Sequence, residues 1–233
     1  CDTHEMIQQQ LRSGRGRIII EGAQGTLLDL DHGGYQNVTS SNTTVGGLLV
    51  GAGIAPRNLT RSIGVFKAYD TKVGNGGMPT EIKNEQADAI REKGHEYGAT
   101  TGRPRRVGYF DGVAARYSHE LNGFTDIVIT RMDTLCGMGG LKICQNYMLN
   151  GKGISTFPPD DKTLMSCIPE YSKEVYKWDR LGNTTYYDGL VPDVRAYCNA
   201  TMMKFFPKAR LYGVGVGADR DAFVRCYDFR HLP

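Results

Sequence analysis

The chain has 233 residues, 40% of them hydrophobic, with 28 Lys and Arg against 25 Asp and Glu for a net charge of +3. That length can bury a substantial core, as one large domain or as part of a bigger one, and no apolar run approaches membrane length. So mild a charge gives no argument for nucleic acid or a membrane surface as partner, and any basic character that matters has to be local.

The chain opens at Cys1 inside an amphipathic helix with Met6, Ile7 and Leu11 on one side, which reads as a missing amino-terminal portion. Arg17-Ile18-Ile19-Ile20 then predicts a buried strand that delivers Glu21-Gly22-Ala23-Gln24-Gly25 into a crevice, where open α/β sheets place their ligands. Between two small neighbours, the Gln24 amide can donate and accept at once, as the lactam edge of a purine requires. A turn after a core strand, with Gln24 solvated, is the other reading. Gly33 to Pro56 predicts a long polar loop in which Thr39, Ser40, Ser41, Asn42, Thr43 and Thr44 suit a phosphate or ribose, or simply face solvent.

Asn58 to Gly64 predicts a short helix, Val65 to Val73 a strand, and Glu85 to Lys93 a helix closed by Gly94. Gly98-Ala99-Thr100-Thr101-Gly102-Arg103-Pro104-Arg105-Arg106 gathers three guanidinium groups in a loop with two hydroxyls. This suits a small polyanion better than nucleic acid, which would ask for basic and aromatic residues spread over a face; a solvated basic turn is the alternative. Asp111 to Leu121 predicts a helix capped by Asp111 and closed by Asn122-Gly123, and Thr125 to Thr130 a buried strand. That strand hands over to Arg131-Met132-Asp133, a cation and a carboxylate at a strand end. GTP-binding proteins read guanine with such a carboxylate, although a structural salt bridge would look the same.

Leu141 to Met148 predicts a strand with a hairpin turn at Asn150-Gly151, and Ser155 to Asn183 an irregular surface stretch anchored by Trp178. Val191 to Phe206 predicts a helix, and Arg210 to Val216 and Phe223 to Tyr227 two closing strands. Gly213 to Ala218 matches a dinucleotide fingerprint but lacks the helix and distant acid which that fingerprint needs. Asp29, Asp31 and His32 have no second cluster to complete a metal site. The six cysteines form no C-x-x-C pair, which fits reduced thiols in a cytoplasmic protein.

Glu21 to Gly33, Val38 to Thr44, Gly98 to Arg106 and Thr130 to Asp133, in this order and spacing, closely resemble the carboxyl-terminal part of adenylosuccinate synthetase, over essentially the whole chain. The resemblance implies a mixed α/β fold with a largely parallel central sheet flanked by helices, P-loop NTPase-like, of which residues 1–233 are the carboxyl-terminal portion of a single domain. It implies phosphorylation of the IMP purine O6 by GTP, then displacement of that phosphate by L-aspartate to give adenylosuccinate, GDP and phosphate. Gln24 would be catalytic and, with Thr39 and Arg103, would bind IMP. Ala99, Thr100, Thr101, Gly102, Arg103 and Arg105 would bind aspartate. Arg105, Arg131, Met132, Asp133, Gly215, Val216 and Gly217 would bind GTP.

The resemblance further implies a cytoplasmic homodimer and Mg²⁺ held by ligands in the absent amino-terminal half, along with the phosphate loop, a catalytic Asp and a catalytic His. The fragment alone is therefore expected to be inactive. The family usually has Lys where this chain has Arg131, and Ser-Thr-Gly-Pro where it has Gly215-Val216-Gly217-Ala218. Two alternatives stay open: a phage-type synthetase that adds aspartate to a 2-aminopurine nucleotide, and a non-catalytic purine-nucleotide binding module.

Overall fold

An unbroken β-branched run, Ile127-Val128-Ile129, makes the centre of the main sheet, buried on both faces as such a composition requires. The computed structural model describes residues 1–98, 102–158, 160–182 and 184–226. The described elements are α1 (Thr3–Ser13), α2 (Val45–Ala52), β1 (Ile63–Lys67), β2 (Tyr69–Lys72), α3 (Glu85–Gly94), β3 (Arg106–Asp111), α4 (Gly112–Asn122), β4 (Asp126–Thr130), β5 (Ile143–Leu149), β6 (Lys152–Ile154), α5 (Asp161–Met165), β7 (Ile168–Tyr171), α6 (Pro192–Phe205), β8 (Arg210–Gly215) and β9 (Phe223–Arg225). The main sheet has the order β1-β4-β8-β9, parallel through its first three strands, with β9 antiparallel at the edge. A second sheet runs β2-β3-β5-β6, with β7 also on β5; there β3 and β5 are parallel and the other pairs antiparallel. This is the expected mixed α/β class.

The two sheets part company at Ala68. Its N–H donates to the Thr130 carbonyl at 2.9 Å, as if the chain were still in β1, while its own carbonyl accepts from the Tyr197 hydroxyl of α6 at 2.6 Å. Tyr197, Trp178, Phe205 and Phe206 fill the space beside this junction, packed on Phe110 and Ile129. Burial of such rings contributes on the order of 2–3 kcal/mol each. Close approach is enforced at Gly112, where a Cβ would lie 2.1 Å from the Phe205 ring.

Local signals are kept where they were strong. The Asp111 carboxylate accepts from the N–H groups of Val113 and Ala114, each at 3.1 Å, and Gly123 ends α4 in the left-handed conformation at φ 55°. Asn150 and Gly151 both have positive φ, 51° and 76°, and turn β5 into β6. Trp178 is buried and donates to the Met132 carbonyl at 3.0 Å. The stretch after Gly213 continues into β9 rather than a helix.

Elsewhere the structure corrects the sequence. Arg17 to Ile20 is not a buried strand: it has no regular structure, and Ile19 is 89% exposed. A strand exists only through its neighbours, and no described strand lies beside this one. The supposed loop Gly33 to Pro56 contains α2, hidden from propensity by Gly46, Gly47 and Gly51. The short helix expected at Asn58 to Gly64 is a 3₁₀ turn at Pro56–Asn58 followed by the start of β1, and Val65 to Val73 is two strands in two sheets. The irregular stretch from Ser155 holds α5 and β7. Asn183 and Tyr227, which end two of the expected segments, lie outside the described residues.

Candidate functional site

A cleft of about 1950 Å³ opens along β1 and is lined by Gln24, Gly25, Lys67, Thr71, Lys72 and Arg105, among others. Gln24 stands exposed in the left-handed region at φ 60°, where a residue other than glycine is uncommon. The loop carrying it is fastened by Asp29, a fully buried residue that the sequence offered only as a poor metal ligand. Asp29 Oδ1 accepts from the N–H groups of Asp31 and His32, both at 3.0 Å, and Oδ2 from those of Thr43 at 2.5 Å and Thr44 at 3.2 Å. Burial alone would raise the Asp29 pKa, but these four N–H groups hold it below the ordinary value. Thr39 N–H donates to the Leu28 carbonyl at 2.7 Å, which lays the hydroxyl-rich segment against the loop of Gln24. Asn122, at the end of α4, adds bonds to Thr26 Oγ1 at 3.0 Å and Val45 N at 2.8 Å.

The basic loop is closed at its base by Gly98 N to Arg103 O and Gly102 N to Gly98 O, both 2.8 Å, with Gly102 at φ 63°. Ala99, Thr100 and Thr101 lie outside the described residues. The three arginines do different things. Arg103 is exposed; Arg105 lines the cleft and donates to Glu96 Oε2 at 2.7 Å. Arg106 is a correction to the three-guanidinium site, because it is committed to Glu81 through Nε and Nη2 and to the Gly76 carbonyl. Its pairing with Glu81 raises its pKa further, and lowers that of Glu81.

At the end of β4 the second candidate segment meets the end of β8. Met132 N–H donates to the Gly215 carbonyl at 3.2 Å, so Arg131, Met132 and Asp133 lie beside Gly215, Val216 and Gly217. Asp133 Oδ1 is buried and has no hydrogen-bond partner among the described residues. An acceptor kept in that state is costly unless something else fills it. Arg131, at φ 67°, points its Nη2 to the Gly94 carbonyl at 2.6 Å rather than to Asp133.

Sequence reasoning passed over Lys67, Tyr69 and Glu96. Glu96 is fully buried. Burial works against its charge, but hydrogen bonds from Lys67, Tyr69 and Arg105 keep its pKa low. Lys67 is also lowered, first by burial and then by Arg105 and Arg131, against the pull of Glu96. Nearby, Asp111 N–H donates to Asp70 Oδ2 at 3.2 Å. Burial pushes Asp111 up to about 6, and crowded surroundings together with the Asp111 charge raise Asp70. Among the described residues no group of three His, Cys, Asp or Glu side chains could hold a metal ion.

Strand ends that deliver polar and basic loops to one side of the sheets, with a buried Asp133 oxygen beside a glycine turn, make this a mixed α/β fold with its candidate residues at the ends of strands. The adenylosuccinate synthetase family model matches residues 1–224. The chain belongs to that family. It is 41% identical over 222 residues to the adenylosuccinate synthetase of Chlorobium luteolum, covering 95% of this chain and 51% of the relative. For that of Listeria monocytogenes serotype 4a the figures are 43% over 216 residues, 92% and 50%. The fully ligated adenylosuccinate synthetase of Plasmodium falciparum superposes with a TM-score of 0.91 at 32% identity, over 97% of this chain and 54% of that one. The succinoaminodeoxyadenylate synthetase of cyanophage S-2L, bound to dGMP and dATP, reaches 0.57 at 17% identity over 95% and 49%, a likeness of fold alone. The chain thus spans about half the length of the curated relatives it matches.

Proposed function

We propose that this chain is the carboxyl-terminal part of an adenylosuccinate synthetase, which uses GTP to join L-aspartate to IMP. The observation that carries the proposal is the buried Asp133 oxygen left without a hydrogen-bond partner among the described residues, beside the Gly215 turn assigned to guanine. Phosphoryl transfer asks for positioning and charge neutralisation more than for a nucleophile in the chain. In this reading the Gln24 amide steadies charge developing at the purine O6, and Thr39 and Arg103 hold the phosphate and ribose of IMP. Arg105 faces both the dicarboxylate and the phosphoryl group in flight. The empty Asp133 acceptor and the Gly215 to Gly217 turn flank guanine.

In this reading the ligands of the Mg²⁺ that accompanies GTP belong to the amino-terminal half of the family, and the residues here bind, orient and neutralise. A homodimer in the cytoplasm belongs to the same proposal. The test is to incubate the full-length protein with IMP, GTP, Mg²⁺ and L-aspartate and to follow adenylosuccinate by its ultraviolet absorbance. Product with IMP supports the assignment, product only with a 2-aminopurine nucleotide moves it to the phage-type reaction, and nucleotide binding without product leaves a binding module. The 233 residues by themselves should form no product.

A further inference from the structure

Glu96 gathers groups from four parts of the chain. Its Oε1 accepts from Lys67 Nζ at the end of β1 and from the Tyr69 hydroxyl of β2, both at 2.7 Å. Oε2 accepts from Arg105 Nη1 at 2.7 Å, and Arg131 Nη2 stands 4.0 Å from Oε1. The backbone repeats the link, since Arg105 N–H donates to the Glu96 carbonyl at 2.9 Å and Arg91 Nε to the Arg105 carbonyl at 2.9 Å. One buried carboxylate thus faces three cations, and the cluster keeps a positive balance at the edge of the cleft that Lys67 and Arg105 line. Without the carboxylate those cations would repel each other and turn to water; with it they are aimed before any ligand arrives.

We propose that Glu96 is a positioning residue, which sets Arg105 and Lys67 as a paired receptor for the aspartate carboxylates and the transferred phosphate, and steadies Arg131 on the guanine side. This rests on the ligase reading above. A carboxylate with only a structural role would affect how much protein folds, and so kcat per mole of chain. A positioning carboxylate changes affinity for the anions its cations meet, while IMP, whose contacts are assigned to Gln24, Thr39 and Arg103, is spared.

The experiment is steady-state kinetics on the full-length enzyme with Glu96→Gln, Tyr69→Phe, Arg105→Lys and the double variant of Glu96→Gln with Arg105→Lys. Glu96→Gln should raise KM for aspartate and for GTP about tenfold or more, with KM for IMP within about twofold. Tyr69→Phe, which keeps every charge and removes one hydrogen bond, should move the same two constants by a few-fold. The double variant should be hardly worse than Arg105→Lys alone, because residues acting through one another are not additive. Parental KM values in Glu96→Gln, or in Tyr69→Phe should Glu96→Gln not fold, overturn the positioning role. Failure of the parent enzyme to make adenylosuccinate instead overturns the ligase reading, and the two failures cannot be confused.

Discussion

Arg106 and Glu81 meet through two parallel hydrogen bonds, Nε to Oε1 at 2.7 Å and Nη2 to Oε2 at 2.8 Å, while Arg106 Nη1 reaches on to the Gly76 carbonyl at 2.8 Å. The pair fastens the 74–77 turn to β3 and leaves this guanidinium no spare face for substrate. Arg106→Lys keeps the charge but loses the fork, so it should cost about 1 kcal/mol of stability in urea unfolding and leave KM for aspartate within about twofold. A large rise in that KM would put Arg106 back among the ligand contacts.

Arg105, one residue earlier, should behave in the opposite way. Its assigned partners are anions of the substrates, and a bidentate guanidinium is not replaced by an ammonium. Arg105→Lys in the full-length enzyme should weaken use of aspartate by roughly 2 kcal/mol, about thirtyfold in kcat/KM measured on folded protein, beyond whatever stability is lost with its bond to the buried Glu96.

Asp133 offers an unpartnered buried oxygen beside the Gly215 turn. Guanine supplies two donors to such a carboxylate, whereas adenine has an acceptor at N1 and no amine at C2. Asp133→Asn exchanges an acceptor for a donor and suits xanthine. The variant should lose GTP-dependent activity and recover part of it with XTP, a difference of about 1–3 kcal/mol. Unchanged use of GTP, with XTP ignored, would make Asp133 structural.

Asp29 holds the Gln24 loop against the 39–44 segment through four backbone N–H groups. Asp29→Asn turns one acceptor oxygen into a donor facing donors and should cost about 2–3 kcal/mol. Because the folded pKa of Asp29 lies below its unfolded value, its contribution is complete above the ordinary carboxylate range and is lost as pH falls through the folded value. The stability gap between parent and variant, followed by urea unfolding, should therefore narrow on acidification and not on raising the pH.

The Asp70 and Asp111 pair has the reverse sign. Both folded pKa values are raised, so the native state holds protons that the unfolded chain releases, and stability falls as pH climbs from the ordinary carboxylate value through the folded ones. Asp70→Asn removes one of the two charges while keeping an acceptor for Asp111 N–H. It should stabilise the protein at neutral pH and flatten the fall in stability as pH climbs above the ordinary carboxylate value, read by urea unfolding across that range.

What the sequence disclosed follows from how local each cause is. Asp111 and Gly123 bracket α4 within one stretch of chain, and Asn150-Gly151 makes its turn from its own two residues, so both were legible. Ile18 to Ile20 has every intrinsic mark of a strand, but pairing is a property of two segments, and composition reports only one. The cluster around Glu96 was invisible for the same reason, since Lys67, Tyr69, Arg105 and Arg131 approach it from separate elements. The Arg103 to Arg106 cluster showed its charge but not its division of labour. That division depends on where Glu81 and Glu96 lie in space.

The register of the parallel sheet also governs how the chain reaches this state. β4 pairs Asp126 with Ile63 on one side and with Arg210 on the other. Neither pairing can form until long intervening loops have closed, whereas α4 and the β5-β6 hairpin need only their neighbours. Contact order therefore puts the central sheet after α4 and the β5-β6 hairpin. During that interval Ile127-Val128-Ile129 is unpaired, apolar and free of charge, the composition that associates with copies of itself. The flanking Asp126, whose carboxylate ends up between Arg61 and Arg210, is the charge nearest to that segment while it waits.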